Sequence, residues 1–347
     1  MSKRSAARRV LAGLLVLVLL GVLAGCGGAA KEEKQQPPAQ EKPKVKAGIM
    51  FSIVNPARAG GWDRADWAGI EALRKEYGWE VTVGEGVPYA QTAATAAGYA
   101  EKGYDLVIFP DAGQTEAFRE VAPKYPKTWF VMMSMCDSLP NSPRVAAWSP
   151  DLYAYGEMVG LVAAKATKSG TIGLIGGVPV PALVTLFSGA IEAAKFVRPD
   201  VKVLTYFVGD WVDVAKHREL AALQIQQGAD VIFPETGPGT LGCYEAAQAG
   251  GAKIVGFAWD MYEDAPKVML TSVIINKPRM YKDLAEQFVS GKLEKKIVNC
   301  GAEYFGLADF RGSLPEQTVK EIQDLVAKLQ KGELPIPVVI HEEIMKK

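Results

Sequence analysis

Two stretches of this chain nearly repeat each other: Tyr104-Asp105-Leu106-Val107-Ile108-Phe109-Pro110 and Ala229-Asp230-Val231-Ile232-Phe233-Pro234. Each follows a helical segment closed by a glycine, Gly103 or Gly228, and each runs into a Gly-containing loop. A run so uniformly apolar suits a strand covered on both faces, as in a parallel sheet. Each copy sits among alternating short apolar and longer helical segments. Two similar α/β lobes satisfy that pattern better than one large sheet.

The first series predicts strands at 47–54, 80–83, 105–109, 129–133 and 144–148, with helices at 62–77, 90–102 and 115–121. In the first helix Trp62, Ala65, Trp67, Ile70 and Leu73 fall near helical spacing, and Gly78 serves as its C-cap. The second series predicts helices at 153–166, 183–197, 213–227 and 241–249, with strands at 171–175, 201–208, 230–233 and 253–257. Segments 268–275 and 281–289 are expected to pass back towards the first lobe. A last amphipathic helix spans 315–329, with proline in its first turn. The reading is an α/β fold of two doubly wound parallel-sheet lobes. Residues 45–150 with 276–300 form lobe 1, and 151–275 with 301–347 form lobe 2.

The first 44 residues read differently. Lys3, Arg4, Arg8 and Arg9 precede an apolar run over 10–22, and Leu23-Ala24-Gly25-Cys26 follows. This is the layout of an export signal over 1–25. The apolar run falls short of the ~20 residues that span a bilayer. Leu-Ala-Gly-Cys resembles the lipobox of bacterial lipoproteins, which implies that Cys26 takes the acyl chains and anchors the protein at the extracytoplasmic face of the cell membrane. Residues 26–44 are rich in Gly, Lys, Glu, Gln and Pro and carry no aromatic side chain, the composition of a disordered tether.

Composition narrows the function further. The chain is 49% apolar and 22% charged, with 39 basic and 39 acidic residues. Loss of the signal removes four basic residues and no acidic one, so the exported part is mildly acidic. No basic stripe marks a nucleic-acid surface. Cys136, Cys243 and Cys300 are too scattered for a metal pair, and buried free thiols are the simpler reading, with one bridge as the alternative. His217 and His341 are the only histidines and read as surface residues, which argues against a triad hydrolase or a zinc site. No P-loop, nucleophile elbow or G-x-G-x-x-G order occurs, so no cofactor is expected.

Ligands of open α/β sheets bind beyond the carboxyl ends of the strands. The loops there offer Trp62, Asp63, Asp111, Gly113, Trp211, Asp213, Glu235, Thr236, Trp259 and Asp260, with Phe187 just inside its helix. Aromatic faces beside carboxylates suit a flat heterocycle that donates hydrogen bonds, and they suit a sugar as well. Trp148 and Trp259 read equally as core or as platforms, and Asp213 reads first as a helix N-cap. Trp62 stands out because Gly60-Gly61 precede it at a strand-to-helix turn.

Taken in order, several segments resemble the BMP family of lipoprotein solute-binding proteins, the PnrA-like group. Gly60-Gly61-Trp62-Asp63 is similar to the turn of its purine-binding branch. Ser169-Gly170-Thr171-Ile172-Gly173, Pro179-Val180-Pro181, Trp211-Val212-Asp213, Gln227-Gly228-Ala229-Asp230-Val231, Gly256-Phe257-Ala258-Trp259-Asp260-Met261 and Leu270-Thr271-Ser272 continue the likeness over about residues 46–312. The resemblance implies a type I periplasmic-binding-protein fold with a three-strand hinge, an ABC permease as partner, a monomer, and a purine or nucleoside as ligand. It implies that Trp62 stacks on the base, Phe187 flanks it and Asp260 binds its polar edge. Many nucleoside binders of the family hold the ribose with a lysine just before the asparagine that follows Thr-Ser. Here that place is Ile275, which favours a free base over a nucleoside. A sensory receptor and a surface enzyme using Asp63 or Asp260 as base remain the alternatives.

Overall fold

The computed structural model describes residues 44–346. The expected signal, the lipidation site Cys26 and the tether up to its last residue lie outside the described residues.

The chain begins with β1 (Lys46–Met50), α1 (Gly61–Tyr77), β2 (Glu80–Gly84), α2 (Tyr89–Glu101), β3 (Leu106–Phe109), α3 (Thr115–Val121), β4 (Trp129–Met132) and β5 (Val145–Pro150). It continues with α4 (Leu152–Ala166), β6 (Thr171–Gly176), α5 (Pro181–Val197), β7 (Lys202–Phe207), α6 (Val214–Gln226), β8 (Val231–Glu235), α7 (Thr240–Gly250), β9 (Lys253–Ala258) and β10 (Met269–Ile275). Then come α8 (Lys277–Val289), β11 (Lys296–Cys300), β12 (Phe305–Leu307) and α9 (Glu316–Gln330). Two six-stranded sheets result, in the orders β11-β5-β4-β3-β1-β2 and β12-β10-β9-β8-β6-β7. The near-repeated stretches become β3 and β8. Each lies beside the first strand of its sheet, with all four β3 residues buried.

Every strand pair of the first sheet is parallel, whereas β12 pairs antiparallel with β10 at the edge of the second. The chain passes between sheets three times, after β5, after β10 and after β11. Asp151 caps α4 at the first passage through the N–H groups of Tyr153 and Ala154, and Asn276 caps α8 at the second through that of Arg279. Segment 268–275 was expected to lead back to lobe 1. It stays in the second sheet as β10, and the return begins at Asn276, with α8 then packing on α1.

The core sits between α4, α5 and the second sheet, and between α1, α8 and the first. Helices α4 and α5 approach closely because Gly156 offers no side chain: a Cβ there would lie 1.8 Å from the Leu186 carbonyl oxygen.

Both histidine expectations are corrected. His217 is fully buried, its Nδ1 2.7 Å from the Asp213 carbonyl oxygen. Its helix carries polar residues, yet α6 turns His217, Ala221 and Gln224 inward and packs on α7. His341 is mostly enclosed, 2.8 Å from Glu192 and 2.9 Å from Glu343. Cys136, Cys243 and Cys300 are free thiols, the last two buried. Asp213 is an N-cap, accepting from the Lys216 N–H. Trp148 is fully buried in the core.

Candidate ligand-binding cleft

The site starts from a glycine. A Cβ on Gly61 would lie 1.9 Å from the carbonyl oxygen of Phe257, so the N-terminus of α1 meets β9 of the other sheet backbone to backbone. Trp62 follows as the second residue of α1. Its Nε1 donates to the Pro110 carbonyl oxygen at 3.0 Å, and its ring lies nearly parallel to Phe257, with centroids 6.3 Å apart and planes 16° from parallel. The Lys277 ammonium sits 4.1 Å from the centre of the same indole, a cation–π distance.

Lys277 is fully buried. It is 3.1 Å from Asp66 and also donates to the Met133 carbonyl oxygen. Asp66 accepts from Tyr281 Oη at 2.9 Å. Burial pushes the Asp66 carboxyl up to about 6 and the Lys277 ammonium down, and the contact between them opposes both shifts. This lysine answers the expectation set at Ile275. Ile275 is buried and apolar, but two residues later the first turn of α8 carries a lysine inward. It braces Trp62 and Asp66 rather than facing the cavity.

That cavity, of about 490 Å³, lies between the two sheets. Lobe 1 lines it with Arg58, Gly61, Trp62, Asp63 and Arg64, and lobe 2 with Glu235, Thr236, Tyr244, Phe257, Met261 and Asp264. Arg64 and Asp264 bridge the sides with two contacts, at 2.9 and 3.1 Å. Burial pushes Asp63 up to about 7, with the negative charges of Asp66 and Asp111 adding to it and Lys277 opposing. Glu235 closes β8 on the far wall. Its Oε2 is buried and has no hydrogen-bond partner, and burial pushes its carboxyl up to about 8.

Four of the nine ligand residues read from the sequence thus share this cavity: Trp62, Asp63, Glu235 and Thr236. Thr236 spends its hydroxyl on Thr240, 2.9 Å away. Asp111 stands beside them in lobe 1, accepting from Tyr89 Oη at 2.7 Å and from the Gly113 N–H at 2.6 Å. The Tyr89 ring covers Gly113 so closely that a Cβ there would lie 2.7 Å from it. Three residues fall elsewhere. Phe187 is fully buried and stacks on Phe207 at 5.5 Å. Trp211 packs over Gly177. Asp260 holds Arg311 through contacts of 2.5 and 3.2 Å and caps the Tyr262 N–H. Phe257, Lys277 and the Arg64–Asp264 bridge were not singled out. Phe257 lies inside an apolar strand run, where nothing marks which side chain faces a cleft.

Among the described residues no three His, Cys, Asp or Glu side chains gather as a metal ion requires. None of their helices is long and apolar enough to cross a membrane.

Comparison with known proteins adds to this geometry. A family model described as ABC transporter substrate-binding protein, PnrA-like, matches residues 46–339. A purine-binding protein of Brucella abortus is 28% identical over 316 residues, covering 89% of this chain and 85% of the relative. A transcriptional activator protein of Bacillus subtilis is 25% identical over 333 residues, 93% and 98% of the two chains. Among solved structures, an ABC transporter solute-binding protein of Conexibacter woesei superposes with a TM-score of 0.72 at 21% identity, covering 86% of this chain and all of that one. The last likeness bears on the fold, two mainly parallel sheets as in type I periplasmic binding proteins.

Proposed function

Since the chain belongs to the PnrA-like family of ABC transporter substrate-binding proteins, we propose that it captures a purine base, or a ligand shaped like a nucleoside, in the cleft between its lobes and hands it to a membrane permease. The carrying observation is the pair of nearly parallel rings, Trp62 and Phe257, that face one cavity from opposite lobes with a carboxyl group on each wall. A flat ring inserted at van der Waals distance from both, ~3.5 Å each, asks them to part by at least about 0.7 Å from their present 6.3 Å. Hinged lobes supply such movement, and a ligand that favours the closed arrangement draws the population to it. Binding and release need no bond to change.

The purine reading is supported by the likeness of the chain to the purine-binding relative, and a free base is preferred because Lys277 is spent on Asp66 and the Met133 carbonyl. Titration calorimetry with adenine, hypoxanthine, guanosine and inosine tests this. Tight nucleoside binding without base binding would reject the preference. The protein is further proposed to act as a monomer, anchored outside the membrane through lipidated Cys26. Mass spectrometry of membrane-extracted protein checks the anchor, and an unmodified N-terminus elsewhere would reject it.

The relative named as a transcriptional activator favours a second reading, a receptor that passes its ligand signal to another protein. Uptake of labelled adenine by cells with and without the gene separates the two, because a receptor leaves uptake unchanged.

A further inference from the structure

Around the cavity most charged groups already have partners. Arg64 is held by Asp264, and Asp63 lies within the field of Lys277. Glu235 differs. Its backbone is fixed at the end of β8, paired with Gly176 of β6 and accepting from the Gly177 N–H at 3.0 Å. Among the described residues its carboxyl makes no ion pair, and its Oε2 is enclosed without any hydrogen bond. Enclosed polar atoms of native proteins are nearly always paired, and an exception calls for a reason. Here the reason lies in the cavity that Glu235 lines.

We propose that Glu235 is the specificity-determining residue of the cleft and reads a ring edge that offers one hydrogen-bond donor beside one acceptor, as adenine does with its amino group beside N1. This rests on the purine reading above. A protonated carboxyl group carries both an O–H donor and a carbonyl acceptor, so it meets such an edge with two parallel hydrogen bonds. A carboxylate accepts only, and suits a ligand with two adjacent donors instead.

The surroundings favour the protonated form. Of the two guanidinium groups lining the cavity, Arg64 is engaged by Asp264, and Arg58 is exposed. The other titratable groups around the end of β8 are Asp63 of α1, Asp264, Tyr155 of α4, and Cys243 and Tyr244 of α7, none of them a cation, while His217 of α6 packs against Gly239 in the loop beyond. With burial holding the Glu235 carboxyl at about 8, it keeps its proton at neutral pH and loses it as the pH rises through that value. Recognition of the mixed edge is then present below about 8 and lost above it. Asp63, held at about 7, titrates close by and needs its own control.

The test is calorimetric titration of adenine and 6-methylpurine into the intact protein and its Glu235→Gln and Asp63→Asn variants, at about pH 6.5 and about pH 9.5. 6-Methylpurine keeps N1 but lacks the amino donor. Glutamine holds a donor and an acceptor at any pH. The expected result is that the unaltered protein loses roughly tenfold in adenine affinity at the higher pH, the cost of about one good hydrogen bond. Asp63→Asn should keep that loss and Glu235→Gln should remove it. 6-Methylpurine should bind weakly to all three. The inference is overturned if folded Glu235→Gln, judged by an unchanged melting temperature, no longer takes adenine or still loses affinity at high pH. It is equally overturned if 6-methylpurine binds as well as adenine. Failure of every purine to bind the unaltered protein would instead overturn the purine reading itself, and this inference with it.

Discussion

Lys277 shows how one side chain can be decisive without touching the cavity. Its ammonium joins Asp66, the Met133 carbonyl and the Trp62 ring, so one buried charge ties α8 to α1 and to the end of β4. Replacing it by methionine leaves Asp66 buried without its cation, a change that typically costs about 3–5 kcal/mol. Urea unfolding of Lys277→Met should show that loss, and adding Asp66→Asn should recover part of it. Additive losses in the double variant would contradict the coupling. Trp62→Ala removes an aromatic face and should weaken adenine binding by roughly tenfold to a hundredfold, about 1.5–3 kcal/mol, and it should lower the melting temperature as well, because the Pro110 hydrogen bond and the Lys277 contact go with the ring. Trp62 was legible because two glycines precede it at a turn. Lys277 was not, since a lysine after a helix-capping asparagine looks like any solvated first-turn residue.

At the scale of elements, the approach of α1 to β9 decides whether the cleft can close. Gly61→Ala would put a methyl group into the Phe257 carbonyl, and the cheapest relief is for the lobes to part. The expected outcome is a normally folded protein with a larger radius of gyration by small-angle scattering and adenine affinity reduced at least tenfold. An unchanged scattering curve with full affinity would contradict the close seat. The central strands were easy to read: β3 and β8 are almost wholly apolar because both faces are covered. Of the four edge strands, β2 and β7 were read and β11 and β12 were not. β11 carries Lys296 and Asn299 and is mostly half-buried, and β12 has three residues paired antiparallel. Edges lack the covered faces that write an apolar run into a sequence. The same blindness hid His217, a buried residue on a helix that exposes Lys216, Arg218 and Glu219 beside it.

For the whole molecule, several enclosed carboxyl groups set a common pH response. Burial raises Asp63 to about 7, Glu157 to about 7, Asp66 to about 6 and Glu235 to about 8. Each binds its proton more tightly folded than unfolded, so the folded state holds more protons between about pH 4 and about pH 8, and its stability falls as the pH rises through that window. Thermal unfolding followed across it should show a declining melting temperature, and Asp63→Asn with Glu235→Gln should flatten the decline. A melting temperature that climbs steadily from acid to neutral pH would contradict the burial of these groups. The two-lobed plan was readable because the alternation of strands and helices starts again midway and the near-repeat falls in both series, and a duplicated pattern calls for a duplicated sheet. The cavity wall was read only in part, since whether a loop carboxylate faces the ligand or an arginine, as Asp260 faces Arg311, depends on contacts distant in the chain.

The proposed function depends above all on what lies between the two rings that face each other across the cleft. A crystal structure of the protein grown with adenine measures this directly. The expected result is a flat ring between Trp62 and Phe257, the two side chains moved apart to admit it and the Glu235 carboxyl against its edge. Adenine bound away from both rings, or Trp62 and Phe257 still stacked on each other with the ligand elsewhere, would contradict it.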